Sequence, residues 1–196
     1  SFGNNFVTIE KYAKAFLKAH QKNTILCALK HFPGLGSAKA DPHYYLTNIT
    51  KTWQERELLP YKKLTENNSA QVIMSTHVLH EKIDPKYPAS LSQKWLKDIL
   101  RKQLGFKGVI ISDDLQMKAI SKKYDLQTTI IQAIDAGNDL LLFANPYKIS
   151  KDLEKKIKSI IKKAIEDKKL NAAQIDEAYG RINALKRKHL IYKGIE

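Results

Sequence analysis

The chain has 196 residues, of which 43% are apolar and 28% charged, a composition that predicts a folded globular protein with a buried core. Its formal net charge of +14 would suit a nucleic-acid-binding protein. The lysines, however, are spread among acids and isoleucines at helical spacing, which indicates solvated helix faces and argues against nucleic acid as a partner. The sequence has no apolar run long enough for a membrane span and no signal-peptide pattern at its start, and the lone Cys27 excludes an internal disulfide.

Helical and strand-like segments alternate along the chain. The periodicity predicts helices over 7–20, 51–67, 90–105, 126–136, 148–167 and 172–190, and strands over 24–32, 71–79, 108–114 and 139–145. A serine at the start of the 90–105 segment is suited to cap that helix, and Gly105 is suited to end it. The four strands are almost entirely apolar, which is typical of a parallel sheet with helices on its faces. We therefore expect an α/β fold and a single domain over residues 1–196.

Polar side chains stand where each of the four strands ends. They are Lys30 and His31, His77, Asp113 and Asp114, and Asn145. All of them lie at carboxyl ends, which is where α/β barrels and open α/β sheets place their active sites. The repetition across four strands predicts a functional site at this edge of the sheet.

The pair Asp113 and Asp114 follows the third strand. An acid in such a position often caps the next helix, and two adjacent acids allow one to cap while the other faces a cleft. We expect Asp113 to face the cleft. A carboxylate held in its ionised form by the nearby Lys30 would be able to attack the anomeric carbon of a sugar.

His43 is the candidate proton donor for such a reaction. An imidazole with a pKa of about 6.5 is able to give a proton to a leaving oxygen and later take one from water. Asp41 lies two residues earlier and is placed to orient that imidazole, although a polar loop would also contain such a pair by chance. Lys30 and His31 are candidate donors to sugar hydroxyls, the alternative for Lys30 being a structural ion pair.

Several motifs together resemble family 3 glycoside hydrolases, in particular the bacterial β-N-acetylglucosaminidase (β-N-acetylhexosaminidase) branch. They read KHFPGLG, the Asp41-Pro-His43 that follows it, STHV, LRKQLGFKGVIISDDLQM and AIDAGNDLLL. The similarity extends from residue 1 to about residue 145. It implies a (β/α)8 TIM-type barrel and retaining, metal-free and cofactor-free hydrolysis of terminal β-linked N-acetylglucosamine from peptidoglycan-derived glycosides.

The resemblance also implies a role for each candidate residue. Asp113 matches the nucleophile of the family, His43 its acid/base and Asp41 the partner of that histidine. Lys30 and His31 match the pair that contacts the bound sugar. The expected substrate is a saccharide or muropeptide that contains N-acetylglucosamine.

The length of the chain fits only part of such a barrel, because a barrel of eight strands takes about 250 residues and the sequence shows four strands. We expect the chain to supply the last four strands and the carboxy-terminal helices. The amino-terminal half is then an expected partner, as a separate chain or a cleaved segment. A cytoplasmic location is expected, the alternative being export or lipid anchoring through an upstream segment.

Three other functions stay open at this point. A metal-dependent barrel hydrolase would use His31, His43, His77, His80 and Asp113 as ligands, but the histidines lack the spacing of metal motifs. A phosphorylase would use the same histidine and aspartate with phosphate in place of water. An inactive fragment would bind the sugar without cleaving it.

Overall fold

The computed structural model describes residues 2–41, 45–66, 69–144 and 151–190. In these ranges the strands are β1 (Ala28–Phe32), β2 (Thr47–Asn48), β3 (Val72–Ser75), β4 (Val78–Leu79) and β5 (Val109–Ser112). The α-helices are α1 (Phe6–Lys22), α2 (Leu59–Glu66), α3 (Lys118–Ser121), α4 (Leu126–Ala136), α5 (Leu153–Glu166) and α6 (Ala172–Leu190). Two 3-10 turns cover Glu55–Leu58 and Ala89–Leu91, and a π-helix covers Lys94–Gln103.

The main sheet contains three parallel strands in the order β1-β3-β5. Phe32 of β1 lies beside Ser75 of β3, which in turn lies beside Ser112 of β5. Because the strands are parallel, these three residues mark one common carboxyl edge. The strands β2 and β4 pair in parallel as a separate two-stranded sheet. The prediction of a parallel sheet with helices between its strands is confirmed for these elements.

The predicted fourth strand, residues 139–145, is corrected for the part that the structure describes. Leu140 forms one isolated parallel bridge with Ile111, and no regular strand follows it up to residue 144. The physical reason is a side chain, since the N–H of Leu142 donates to the hydroxyl of Ser112 at 3.0 Å and not to a strand carbonyl. Residue 145 lies outside the described residues.

The core fills the space between the sheet, the helices that follow β4, and the 3-10 turn and helix α2 that precede β3. Its central cluster includes Phe32, Ile73 and Ile110 from the three strands and Trp95 and Leu100 from the π-helix, all with 0% exposure. Full burial of such a side chain contributes about 1.5–3 kcal/mol to folding. The buried side chains of the three strands therefore hold the sheet in place close to its polar carboxyl edge.

Two helix predictions differ in outcome, and the capping bonds at the helix ends differ with them. The predicted helix 126–136 is confirmed as α4, where the Asp125 side chain accepts from the N–H of Thr128 and Gly137 ends the helix with φ of +109°. The predicted helix 90–105 is corrected, because the regular helix begins at Lys94. Its N-cap residue Gln93 makes no side-chain capping bond.

Two further features concern helix length and the single cysteine. In the described ranges, no helix is both long and apolar enough to cross a membrane. Cys27 is a free thiol packed at the edge of a small cluster formed by α1 and α2, and burial raises the pKa of this thiol. It therefore packs as a small apolar side chain.

Candidate functional site

The candidate site lies at the carboxyl edge of the main sheet. The strand ladder continues one step past the strands, since the N–H of Thr76 donates to the carbonyl of Phe32 at 2.9 Å. In the same way, the N–H of Asp113 donates to the carbonyl of Ser75 at 2.8 Å. Both Thr76 and Asp113 are therefore held by backbone bonds to the neighbouring strand, and their side chains occupy defined positions on the edge.

The two oxygens of the Asp113 carboxylate have different surroundings. Oδ1 accepts from the N–H of Asp114 at 2.9 Å. Oδ2 lies 3.5 Å from the hydroxyl of Thr76 and 4.0 Å from Nε2 of His31. The side chains of Asp113 and His31 are 18% and 28% exposed, so Oδ2 is the oxygen that a ligand entering from solvent would meet beside an imidazole.

The carboxylate of Asp114 accepts hydrogen bonds from backbone N–H groups of two loops. Its Oδ1 accepts from the N–H of Gln116 at 3.0 Å and from the N–H of Ala144 at 3.1 Å. Neither N–H belongs to a helix, and the helix that follows has Met117 as its N-cap without a side-chain bond, so the prediction that one acid of the pair caps the next helix is wrong. Asp113 is the member of the pair beside His31. The role of Asp113 as nucleophile stays a prediction.

His77 lies below this edge and is completely buried. Its Nδ1 is 2.7 Å from the hydroxyl of Ser90, and its Nε2 is 2.9 Å from the carbonyl of Asp114. Burial lowers the pKa of the imidazole below its usual value, although the carbonyl of Asp114 and the charge of Asp113 act in the opposite direction. His77 is therefore a neutral, fully engaged side chain.

Lys30 is exposed, which bears on the alternative of a structural ion pair at this residue. The desolvation cost that would demand a structural ion pair is therefore absent. Lys30 directly precedes His31, and the peptide bond between them is cis.

The predicted dyad is covered only in part by the described residues. Asp41 is exposed, and its backbone carbonyl accepts from the N–H of Tyr45 at 3.3 Å. His43 lies outside the described residues. The structure thus brings His31 and Asp113 together, and the assignment of Asp41 and His43 stays a prediction.

The loop that leads from β1 towards Asp41 is anchored at its base. Ser37 donates to Oε1 of Glu57 at 2.6 Å, and the indole N–H of Trp53 donates to the carbonyl of Pro33 at 3.2 Å. Gly34 has φ of +128°, a backbone conformation that favours glycine, and a Cβ there would lie 2.6 Å from Oε2 of Glu57 and force that side chain to shift. Glu57 and Trp53 thereby determine where the chain leaves β1.

Sequence reasoning missed three residues around the site. Thr76 contacts Asp113, and it follows a strand end as directly as the residues that were selected. Ser90 and Asn138 support His77, since the amide of Asn138 donates to the carbonyl of Ser90 at 2.8 Å. Thr76 was detectable as a polar residue at a strand end, whereas the other two carry no local signal.

The candidate metal ligands do not come together in the described part of the chain. Among the residues that the structure describes, no group of three His, Cys, Asp or Glu side chains is placed to hold a metal ion. Both nitrogens of His77 are already engaged by protein atoms. The donor set proposed for a metal-dependent hydrolase is therefore not assembled by the described members His31, His77, His80 and Asp113.

Comparison with known proteins decides the family. Residues 1–185 match the model of the glycosyl hydrolase family 3 N terminal domain. The chain belongs to this family. The beta-hexosaminidase of Actinobacillus pleuropneumoniae serotype 3 is 33% identical over 98% of the chain and 61% of the relative. The beta-hexosaminidase of Idiomarina loihiensis is 36% identical over 70% of the chain and 42% of the relative.

A solved structure supports the same family. The family 3 beta-N-acetylglucosaminidase from Paenibacillus sp. str. FPU-7 has a TM-score of 0.89 and 29% identity, covering 100% of this chain and 37% of that protein. The resemblance inferred from the motifs is confirmed. The chain spans between about two fifths and three fifths of the length of the two family 3 relatives it matches.

Proposed function

We propose that the protein carrying this chain is a β-N-acetylhexosaminidase that removes terminal β-linked N-acetylglucosamine. The observation that carries this proposal is the Asp113 carboxylate, which has one oxygen fixed by a backbone N–H and the other beside His31 at the carboxyl edge of the sheet. A carboxylate in this position in a family 3 chain is the group required for a covalent glycosyl intermediate. The relatives named beta-hexosaminidase favour an N-acetylated amino sugar as the substrate.

In the first step Oδ2 of Asp113 attacks the anomeric carbon while His43 donates a proton to the departing glycosidic oxygen. The carbon–oxygen bond to the leaving group breaks and a glycosyl-aspartate ester forms. Lys30 and His31 donate to hydroxyls of the bound sugar, and Asp41 holds the imidazole of His43 in the tautomer required. This step uses no metal and no cofactor.

In the second step His43 accepts a proton from water, and the water oxygen attacks the anomeric carbon from the face that the leaving group vacated. The ester bond to Asp113 breaks and its carboxylate is restored. Two displacements return the sugar with its original β configuration. Hydrolysis is therefore retaining.

We further propose that these residues work inside an eight-stranded barrel of which the chain supplies the last four strands and the terminal helices. Three observations support an uncovered surface that the other half of the barrel would fill. β1 has no neighbour on its outer side in the described sheet. Met74 and Ile111 are paired on adjacent strands and only partly buried. The third is a set of exposed apolar side chains on and before α1, namely Phe2, Phe6, Val7 and Phe16.

The proposed natural substrates are saccharides and muropeptides from peptidoglycan that end in N-acetylglucosamine. Turnover of such fragments inside the cell is consistent with the cytoplasmic location expected from the sequence. Export or lipid anchoring would place the same chemistry outside the cell. Localisation by fractionation of cells that carry the native gene separates these two possibilities.

The activity is tested with an aryl N-acetyl-β-glucosaminide and the protein carrying this chain. Asp113→Ala is expected to lower kcat by more than about 10⁴-fold, because the nucleophile is lost. His43→Ala is expected to retain measurable turnover of substrates with a good leaving group, which need little protonation. Asp135→Ala is the matched control, since Asp135 lies on α4 and pairs with Lys97.

Three outcomes would contradict parts of the proposal. Full activity of both Asp113→Ala and His43→Ala would refute their assigned roles. A rate that rises with added phosphate and yields a glycosyl phosphate would identify a phosphorylase. Sugar binding by calorimetry with no turnover in the protein carrying this chain would identify a binding protein.

A further inference from the structure

A buried chain of polar side chains leads from Ser75, at the carboxyl end of the central strand β3, towards the candidate nucleophile. The hydroxyl of Ser75 donates to Oδ1 of Asn138 at 2.9 Å, and the amide of Asn138 donates to the carbonyl of Ser90 at 2.8 Å. The hydroxyl of Ser90 then meets His77 at 2.7 Å. Ser75, His77 and Ser90 are 0% exposed and Asn138 is 4% exposed. Four neighbouring polar side chains at this depth are costly unless each is paired, and each of these is.

The hydrogen bonds determine the tautomer of His77. A peptide carbonyl only accepts hydrogen bonds, so the Nε2 that lies 2.9 Å from the carbonyl of Asp114 must carry the proton. In the neutral ring Nδ1 is then an acceptor, and the hydroxyl of Ser90 donates to it. His77 is thereby fixed at both nitrogens.

Asp114 is the link between this ring and Asp113. Its carbonyl accepts from His77, its side chain accepts from two loop N–H groups, and its own N–H donates to Oδ1 of Asp113 at 2.9 Å. Asp114 is thus held at its carbonyl, its side chain and its N–H. The carbonyl also accepts from the N–H of Met117 at 3.0 Å. Among these contacts of Asp114, the bond from His77 is the only one that a side chain donates.

We propose that His77 is a positioning residue for Asp113, which acts by holding the carbonyl of Asp114 and, through it, the N–H that orients the Asp113 carboxylate. The inference rests on the proposed function, in which Asp113 is the reacting carboxylate. His77 contacts neither solvent nor a ligand, because it is fully buried and both ring nitrogens are engaged. It acts through Asp114 and not on the sugar.

In the protein carrying this chain, the kinetic test compares two variants of His77, followed by a control and an alternative variant. His77→Leu removes the donor to Asp114, whereas His77→Gln keeps an N–H donor near the position of Nε2. Misplacement of a reacting group by about 1 Å costs about 100-fold in rate, so His77→Leu is expected to lower kcat by about 10- to 100-fold. KM is expected to stay within about 3-fold, because the sugar contacts are unchanged. His77→Gln is expected to recover most of kcat.

His80→Leu is the matched control for general destabilisation. His80 is also a buried histidine, 7% exposed, and its ring packs against Trp53 and Trp95 and not against the Asp113 edge. Its expected kcat is within about 2-fold of the unmodified protein at a temperature where both are folded. Equal losses of kcat in His77→Leu and His80→Leu would overturn the proposal, as would an unchanged kcat in His77→Leu.

Ser90→Ala covers the case in which His77→Leu does not fold. It removes only the donor to Nδ1 and leaves the ring in place. Freed at one nitrogen, the ring holds Asp114 less firmly, and kcat is expected to fall by about 3- to 10-fold with KM unchanged. An unchanged kcat in Ser90→Ala would count against the proposal in the same way.

A spectroscopic test separates this proposal from the proposed function. Ring-nitrogen NMR of the unmodified protein is expected to show His77 protonated at Nε2 only. Hydrogen exchange of the Asp114 N–H is expected to accelerate in His77→Leu and to stay unchanged in His77→Gln and His80→Leu. Unchanged exchange in His77→Leu would overturn the positioning role. Accelerated exchange together with a fully active Asp113→Ala would refute the proposed function and leave the positioning of Asp113 intact.

Discussion

At the scale of single residues, Asp139 is a buried carboxylate whose partners are structural. The side chain of Asp139 is 1% exposed and bridges Arg101 at 2.6 Å and Arg181 at 2.8 Å. It also accepts from the N–H of Ile110 at 2.8 Å. Because Arg181 belongs to α6 and Ile110 to β5, this carboxylate ties the last described helix to the sheet, at the end opposite to Asp113.

Asp139→Asn is expected to lower the free energy of unfolding by about 3–5 kcal/mol, because it leaves two guanidinium groups without their shared counter-charge. Burial lowers the pKa of Arg101, whereas the charge of Asp139 raises it, and the effect of burial is the larger of the two. Urea denaturation measures the change. The control is Asp98→Asn, which breaks an exposed pair with Lys102 and is expected to cost less than about 1 kcal/mol. Equal losses would show that the Asp139 bridge contributes no more than a surface pair.

The buried histidines make stability depend on pH. Burial lowers the pKa values of His77 and His80, so the folded chain stays unprotonated where the unfolded chain binds protons. Below about pH 6.5 the unfolded chain therefore binds more protons at His77 and His80 than the folded chain does. The free energy of unfolding is expected to decrease as pH falls, by up to about 1.4 kcal/mol per pH unit for each of these two histidines. Denaturation of the unmodified protein and His80→Leu at pH 7.5 and pH 5.5 measures this dependence. A decrease that is no smaller in His80→Leu would contradict the contribution assigned to His80.

At the scale of elements, the sequence predicted correctly those limits of helices that are set by hydrogen bonds between residues close in the chain. The limits of α4 follow from Asp125 and Gly137, both of which act within one turn of the helix. The fourth strand was not predicted correctly in the described part, because its course depends on the hydroxyl of Ser112, 30 residues away. The candidate site divides in the same way. Asp113 was predicted from its place at a strand end, whereas the support that Ser90 gives to His77 arises only from folding.

Asp125→Ala is expected to lower the free energy of unfolding by about 1 kcal/mol, since it removes the acceptor for the N–H of Thr128 at 2.7 Å. The same bond holds the pKa of Asp125 below its usual value, so its contribution is complete at neutral pH and is lost as pH falls through the lowered pKa. Asp152→Ala is the matched control, because Asp152 is the N-cap of α5 without a side-chain capping bond. Its expected cost is below about 0.5 kcal/mol. Equal costs in urea denaturation would refute the capping explanation.

At the scale of the whole molecule, the sheet that presents the candidate site has β1 at its edge, with β3 as its one neighbouring strand among the described residues. The inner strand β3 is paired on both sides and its residues are mostly buried, whereas Ala28 and Lys30 of β1 are exposed. Exposed strand edges and apolar helix faces are surfaces that folded proteins cover. The edge of β1 and the exposed apolar side chains of α1 are adjacent in the chain. Both would be covered in the proposed barrel, where the amino-terminal half lies against them.

Hydrogen exchange of the 196-residue chain by itself tests whether that edge is open. Outward N–H groups of β1 are expected to exchange much faster than those of β3, because an edge strand opens at a lower free energy than the strand it pairs with. In a protein that also contains the other half of the barrel, the β1 groups are expected to gain protection while those of β3 change little. Sedimentation of the isolated chain is the control for self-association. Protection of β1 in an isolated chain that sediments as a dimer would show that a second copy covers the edge, and the proposed amino-terminal half would then not be its occupant.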